Sequence, residues 1–427
     1  MTINEIIKVI NGNIDINDDK LIEEIKTDTR NINKGDIFIA LKGKNYDGND
    51  FIDEALKKGA SFCISDKVVN DKCILVNDTY EALYLIGKYM REKYNIPLIA
   101  VTGSNGKTTT KDLIYHILSS KYNVLKNEES KNNLIGVSDT LFKLNNKYEI
   151  IVIELGTNHL GEISYLSNMC KPNVSIITNI GSSHLEFFKK RKNIFKEKIS
   201  IKDGMDNVNL IVNGDDKYLR WVKGYKCGIK NRNNLKAYNI KESIDSISFN
   251  IYLDKEYKIK FNNPGKHFII DILLAIKVCL DYGINIKTII RKINSFNMVN
   301  KRMNIINLKN NILINDCYNS SLESIKGGLD YIKNIKGNKI LIIGDILELG
   351  KYSKRIHKKI NKLVKVIEKK EVYTIGNYSK YIKGKHFNNS FELLKYLENK
   401  KIDNSYIYVK GSRRMNLDIV VDYIIKK

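Results

Sequence analysis

The chain is poor in the residues that staple, break or anchor a protein. Its six cysteines (63, 73, 170, 227, 279 and 317) are scattered through 427 residues with no C-x-x-C pair. That spacing excludes a disulfide framework or a cysteine zinc site and points to reduced core thiols in a cytoplasmic protein. There are only three prolines and no low-complexity tract, so little disorder is expected. No run of 18 apolar residues occurs, and no membrane span is expected. Met1-Thr2-Ile3-Asn4-Glu5 lacks a basic patch followed by an apolar stretch, so no secretory signal is expected. Arginine supplies only ten of the 72 basic residues, and the 48 acidic residues leave a formal charge of +24. A nucleic-acid-binding surface would cluster arginine with aromatics. Here lysine is spread along the whole chain among Ile and Asn, and the tightest run is Lys189-Lys190-Arg191-Lys192. No specific nucleic-acid partner is expected. The excess reads as an AT-rich codon bias on solvated faces that still steers anionic substrates.

What remains is a large apolar fraction with a regular rhythm. The length accommodates two to four domains. Residues 1–95 read as one unit, with strands near 36–41 and 61–64, a helix at 52–59 ending in glycine, and a helix at 79–94 before Pro97. Residues 96–297 alternate apolar strands (98–101, 150–153, 174–178, 210–212) with helical spacing, and 238–262 reads as a small antiparallel excursion before a helix at 267–281. Residues 298–427 repeat the rhythm at 312–314, 339–344, 372–376 and 406–409. The expected class is α/β, with three domains: a small N-terminal one, a central parallel-sheet one and a Rossmann-like C-terminal one.

The strongest chemical signal is Val101-Thr102-Gly103-Ser104-Asn105-Gly106-Lys107-Thr108-Thr109-Thr110, between a strand and a helical stretch at 111–118. Gly103 and Gly106 let successive N–H groups converge, the helix start adds its positive end, Lys107 reaches outer phosphates and Thr108 can ligate Mg²⁺. Glu154 ends the next strand on the same sheet edge and suits a divalent cation. His184 lies beyond another strand, where a structural role and a ligand role both remain open.

Val101 stands where the usual phosphate loop has its first glycine, and the shorter T-G-x-N-G-K-T form resembles the Mur ligases and their folylpolyglutamate synthase relatives. Further runs extend the resemblance from about 27 to 418: Thr27-Asp28-Thr29-Arg30, Gly35 to Gly43 with Asp47-Gly48, Asn132-Asn133-Leu134-Ile135-Gly136, Glu154-Leu155-Gly156, Thr178-Asn179-Ile180-Gly181 with His184, Asp316-Cys317-Tyr318-Asn319, Gly344 to Gly350, and Lys410-Gly411-Ser412-Arg413. The last two are closest to the branch that adds D-alanyl-D-alanine.

That resemblance implies an ATP-dependent ligase joining D-alanyl-D-alanine to a UDP-N-acetylmuramoyl tripeptide through an acyl phosphate, in peptidoglycan precursor synthesis. It implies that the N-terminal domain binds the UDP substrate, the central one ATP and the C-terminal one the amine. By carry-over, Gly103, Ser104, Asn105, Gly106, Lys107, Thr108, Thr109, Asp271 and Arg302 hold ATP. Thr108, Glu154, His184 and a carbamylated Lys198 hold Mg²⁺. Arg302 and Asp316 close on the nucleotide, and Thr29, Arg30, Asp47 and Asn319 bind substrate. A monomer is expected. Departures are Ser200 where a glutamate is usual, Asn315 for an aspartate, no proline after Asn319, and Asp271 for an adenine-reading asparagine. An ionised Asp271 accepts hydrogen bonds but donates none, which predicts weaker adenine selectivity. Other readings are a related ligase with another amine, a nucleotide switch (which wants a Walker-B aspartate where Glu154 stands) and a non-catalytic scaffold.

Overall fold

The computed structural model describes residues 1–14, 20–298 and 301–427. Its largest sheet has seven parallel strands in the spatial order Leu235–Lys236, Tyr225–Gly228, Leu210–Asn213, Val174–Ile177, Leu98–Thr102, Ile150–Glu154 and Val124–Lys126. Every residue of Leu98–Thr102 is buried, as a parallel strand covered on both faces requires. From this strand the chain builds Val124–Lys126 and Ile150–Glu154 on one side, then crosses to Val174–Ile177 on the other. The reversal opens a crevice at the carboxyl end of Leu98–Thr102, where the glycine loop begins. Helix Phe268–Asp281 packs along Lys107–Leu118, the helix that follows the loop.

A second sheet, strands Ile25–Lys26, Ile37–Ile39, Phe62–Ser65 and Cys73–Leu75, is four-stranded and parallel. The excursion expected at 238–262 is a three-stranded antiparallel sheet, Tyr238–Glu242, Ile247–Tyr252 and Glu256–Phe261. The fourth sheet runs Asn304–Asn307, Asn311–Asn315, Ser405–Lys410, Asn338–Gly344, Lys370–Ile375 and Lys385–Phe387, with only the first pair antiparallel. The α/β class is therefore as expected.

Two differences have physical causes. The helix after the loop starts at Lys107 rather than 111, with Gly106 at φ 80 as its cap. Three consecutive threonines are poor helix formers, but the side chains of Thr108 and Thr110 are bonded to Glu154 and Asp271 and hold the first turn. The flanking strands 25–26, 73–75, 124–126, 225–228, 235–236, 304–307 and 385–387 escape the sequence reading because they are short and part-exposed.

Candidate active site

A cleft of about 720 Å³ lies between the large sheet and the fourth sheet. Its walls are the loops leaving the carboxyl ends of strands in both: residues 104–109, Glu154 to Asn158 and His184 on one side, Asp316 to Ser320, Ile346 to Glu348 and Arg413 on the other. Gly103, at φ 153, lets the loop pass Thr178 so closely that an added Cβ would sit 1.8 Å from its hydroxyl. Ser104 N donates to Asn179 O and Asn105 N to Asn179 Oδ1, both at 3.0 Å, so the loop is braced from the next strand's end.

Glu154 is the electrostatic centre. Thr108 Oγ1 and Asn132 Nδ2 each donate to its carboxylate at 2.7 Å. Burial alone would push this carboxyl up, but the nearby Lys107, the two hydrogen bonds and Lys111 together hold it below the usual range. Lys111, 1% exposed, donates to Asn127 O at 2.7 Å, and Asn127 clasps the Glu154 backbone through both of its amide atoms at 2.9 Å. Lys107 is half-buried. Desolvation lowers its pKa, Arg302 adds to the lowering, and Glu154 opposes it. Lys198 is buried on helix Arg191–Ile199, and desolvation with Lys107 lowers its pKa to about 7 despite Glu197 and Glu154. Glu197 itself accepts from Gly161 N at 2.6 Å, Ile163 N at 2.7 Å and Thr157 Oγ1 at 3.0 Å, which fixes the helix that carries Lys198.

The fourth sheet's side is shut onto the loop. Arg302 Nη2 donates to Thr108 Oγ1 at 3.2 Å and Glu129 Oε1 at 3.1 Å, over the ring of Tyr318. Ser321 Oγ donates to Asn105 Oδ1 at 2.8 Å. Glu323 accepts from Ser182 N and Oγ at 3.1 and 2.8 Å and pairs with Arg191 at 3.0 Å. His184 Nδ1 lies 2.6 Å from Glu348 Oε2, off the hydrogen-bond direction, and Tyr352 donates to Lys189 O at 2.7 Å.

Several of the expected site residues already have partners within the fold. Asp271 is buried: its carboxyl packs on Gly106, accepts from Thr110 Oγ1 at 3.2 Å, and burial pushes its pKa up to about 8. A protonated acid donates as well as accepts. Asp316 faces Lys410 Nζ at 2.7 Å and accepts from Tyr408 OH at 3.1 Å and Met303 N at 3.3 Å, so its oxygens are already occupied. Thr29, Arg30 and Asp47 do not line this cleft. Thr29 bonds Glu54 at 3.1 Å, Arg30 chelates Asp28, and Asp47 pairs with Lys67 at 2.8 Å. Lys107, Thr108, Glu154, His184, Lys198, Asp271, Arg302, Asp316 and Asn319 are brought together on its walls, with Ser104, Asn105, Gly106 and Thr109. Asn132, Glu348, Lys410 and Arg414 also line it; all but Arg414 sit inside the quoted motifs, yet their partners lie far away in sequence.

Residues 101–279 match the Mur ligase middle domain and residues 21–102 the Mur ligase family catalytic domain. The UDP-N-acetylmuramoyl-tripeptide–D-alanyl-D-alanine ligase of Rickettsia prowazekii is 33% identical, over 96% of this chain and 97% of that one. The chain belongs to the Mur ligase family. Among Mur ligases it is of the MurF type: MurF from Acinetobacter baumannii superposes with a TM-score of 0.92 at 26% identity over 100% of this chain and 99% of that chain. MurF ligase from Thermotoga maritima, solved in complex with ADP, gives a TM-score of 0.87 at 25% identity over 95% and 97%.

Proposed function

We propose that this Mur ligase joins D-alanyl-D-alanine to a UDP-N-acetylmuramoyl tripeptide with ATP, through an acyl phosphate, in peptidoglycan precursor synthesis. The observation that carries the reading is the cleft itself: a phosphate loop with Lys107, Thr108 and Glu154 faces a second α/β sheet whose side supplies Arg302. The relatives' names add the substrates. A carboxylate is a poor electrophile, and ATP supplies the phosphoryl group that activates it. The chain's part is positioning and charge neutralisation by the loop amides, Lys107 and Arg302, and exclusion of water by the closed side.

The residues present fit Mg²⁺. The Thr108 hydroxyl and the Glu154 carboxylate are adjacent hard oxygens, and no group of three His, Cys, Asp or Glu able to hold a metal alone occurs among the described residues. A cation that shares its shell with nucleotide phosphates and water suits such a site. Lys198, with a pKa of about 7, holds a large neutral fraction at neutral pH, and the neutral amine is the form that takes up carbon dioxide. Its carbamate would place an anion where Lys107 now meets a second cation.

We assign residues 1–95 to the UDP end of the substrate, with Thr29, Arg30 and Asp47 on that unit, 96–297 to ATP and 298–427 to the amine. Both walls of the cleft come from one chain, in keeping with action as a monomer. No helix among the described residues is long and apolar enough to cross a membrane, and all six cysteines are unpaired, which supports a cytoplasmic site of action. The test is phosphate release and product mass with the UDP tripeptide, ATP and D-alanyl-D-alanine. Release that does not depend on the dipeptide, with no ligated product, overturns the reading.

A further inference from the structure

Cations in the cleft fall into two groups, those already engaged and those free. Lys107 faces Glu154, Arg302 bonds Thr108 and Glu129, and Lys410 holds Asp316. Arg413 and Arg414 line the same cleft, are exposed, and make no side-chain hydrogen bond or ion pair among the described residues. They follow strand Ser405–Lys410 on a backbone held from three sides: Ser412 N donates to Asp345 O at 3.0 Å, Leu347 N to Ser412 Oγ at 2.9 Å, and Ser390 Oγ to Met415 O at 2.6 Å. The turn is held while neither guanidinium group is tied by a hydrogen bond or close ion pair among the described residues.

Arginine is itself informative in this chain. With ten arginines among 72 basic residues, lysine is the default cation. Arginines in the described contacts use the planar fork in ways an ammonium cannot. Arg91 donates to the carbonyls of Cys170, Tyr94 and Lys171, and Arg191 to those of Ile180 and Gly181 and to Glu323. Arg413 and Arg414, adjacent on the cleft wall and without a side-chain hydrogen bond among the described residues, can present that fork to a planar anion.

We infer that Arg413 and Arg414 bind the free carboxylate of the incoming amine substrate. This rests on the ligase reading above. A dipeptide that attacks through its amine carries a carboxylate at its other end, about 7 Å away when extended. A carboxylate left unpaired in a closed cleft is costly, and a fork of N–H donors is its best partner. Arg414 acts on the Glu348 carboxylate, which lies against His184 of the opposite wall, so Arg414 sits where the two walls of the cleft meet. Arg413 stands over the Tyr318 ring at 5.6 Å, beside Arg302 at 4.2 Å. Arg413 is thus one ring away from Arg302, which bonds the phosphate loop, a separation that a two-residue amine substrate can bridge.

The test compares D-alanyl-D-alanine with D-alanyl-D-alaninamide, which keeps the amine and loses the charge. Wild-type enzyme should show a KM for the amide about 10–100-fold higher, with the KM for ATP and for the UDP tripeptide unmoved. Arg413→Gln with Arg414→Gln should raise the KM for the acid by a similar factor and abolish the discrimination, while the two lysine variants keep part of it. Equal use of acid and amide by wild type overturns the proposal without any variant. A rise in the KM for ATP or for the UDP tripeptide in the glutamine variant, with the dipeptide's unchanged, also overturns it and assigns the pair to that substrate. Wild-type enzyme that splits ATP yet forms no dipeptide product overturns the ligase reading as well, a result separable from the other two by product mass.

Discussion

Asp271 lies with its carboxyl against Gly106 and Thr110, where burial pushes the pKa up to about 8. In the unfolded chain it titrates near 4. Between those values the native state holds the extra proton, so this group makes stability fall as pH rises from about 4 to about 8. Asp271→Asn should gain stability over wild type through that window, by about 1–3 kcal/mol at pH 8, seen in denaturant titrations at several pH values; a pH-independent difference would mean that the carboxyl is ionised throughout. The KM for ATP should be alike in the two at pH 7, where the acid donates and accepts as an amide does, and should diverge above about pH 8. Lys198 is the opposite case, a cation pushed down to about 7 by burial and by Lys107. Its unfolded pKa is near 10.4, so the unfolded chain binds more protons between about 7 and 10 and this lysine's contribution to stability rises with pH there. Lys198→Ala should lose about 10–100-fold in turnover and recover part of it with added formate or acetate. A silent substitution would return Lys198 to a purely structural role.

At the scale of the element, the phosphate loop depends on two glycines facing two side chains. Gly103→Ala sets a methyl 1.8 Å from Thr178 Oγ1 and should cost about 2–4 kcal/mol in denaturant unfolding. Adding Thr178→Ala should restore part of that loss, since the obstructing atom is the hydroxyl; no restoration would assign the cost to backbone strain at φ 153 alone. The loop was legible in sequence because its physics is local: an apolar strand, two glycines and a lysine within ten residues. The long strands were legible for the same reason. The short flanking strands were not, because each is part-exposed, whereas 62–65, 174–177 and 210–213 are equally short but buried throughout. Nor was the state of Asp271 or the pairing of Asp316 with Lys410, 94 residues apart. Residue type announced a carboxylate at 316, but only the fold shows that Lys410 and Tyr408 already hold it. Arg30 and Asp47 show the converse, motif positions whose side chains the fold spends on neighbours.

For the whole molecule, the closed arrangement rests on few polar contacts, among them Glu323 with Ser182 and Arg191, Ser321 with Asn105, and Arg302 with Thr108. Such contacts contribute about 1 kcal/mol each, enough to bias closure but not to decide global stability. Glu323→Ala should therefore leave the thermal midpoint within a few degrees, speed amide hydrogen exchange across residues 180–191, and raise the KM for ATP several-fold. Unchanged exchange in that segment would show that closure does not pass through Glu323.

Strand Ser405–Lys410 lies in the middle of the fourth sheet, between Asn311–Asn315 and Asn338–Gly344, although it is the last strand made. During synthesis the strands at 311–315 and 338–344 must wait for it, each with an unpaired edge, while the phosphate-loop sheet has long had all its strands. Birth order therefore separates the two halves of the cleft. The nucleotide side can fold on the ribosome, whereas the facing side assembles only after about 410 residues are out. Until then the nascent chain holds a phosphate loop without the wall that shuts on it.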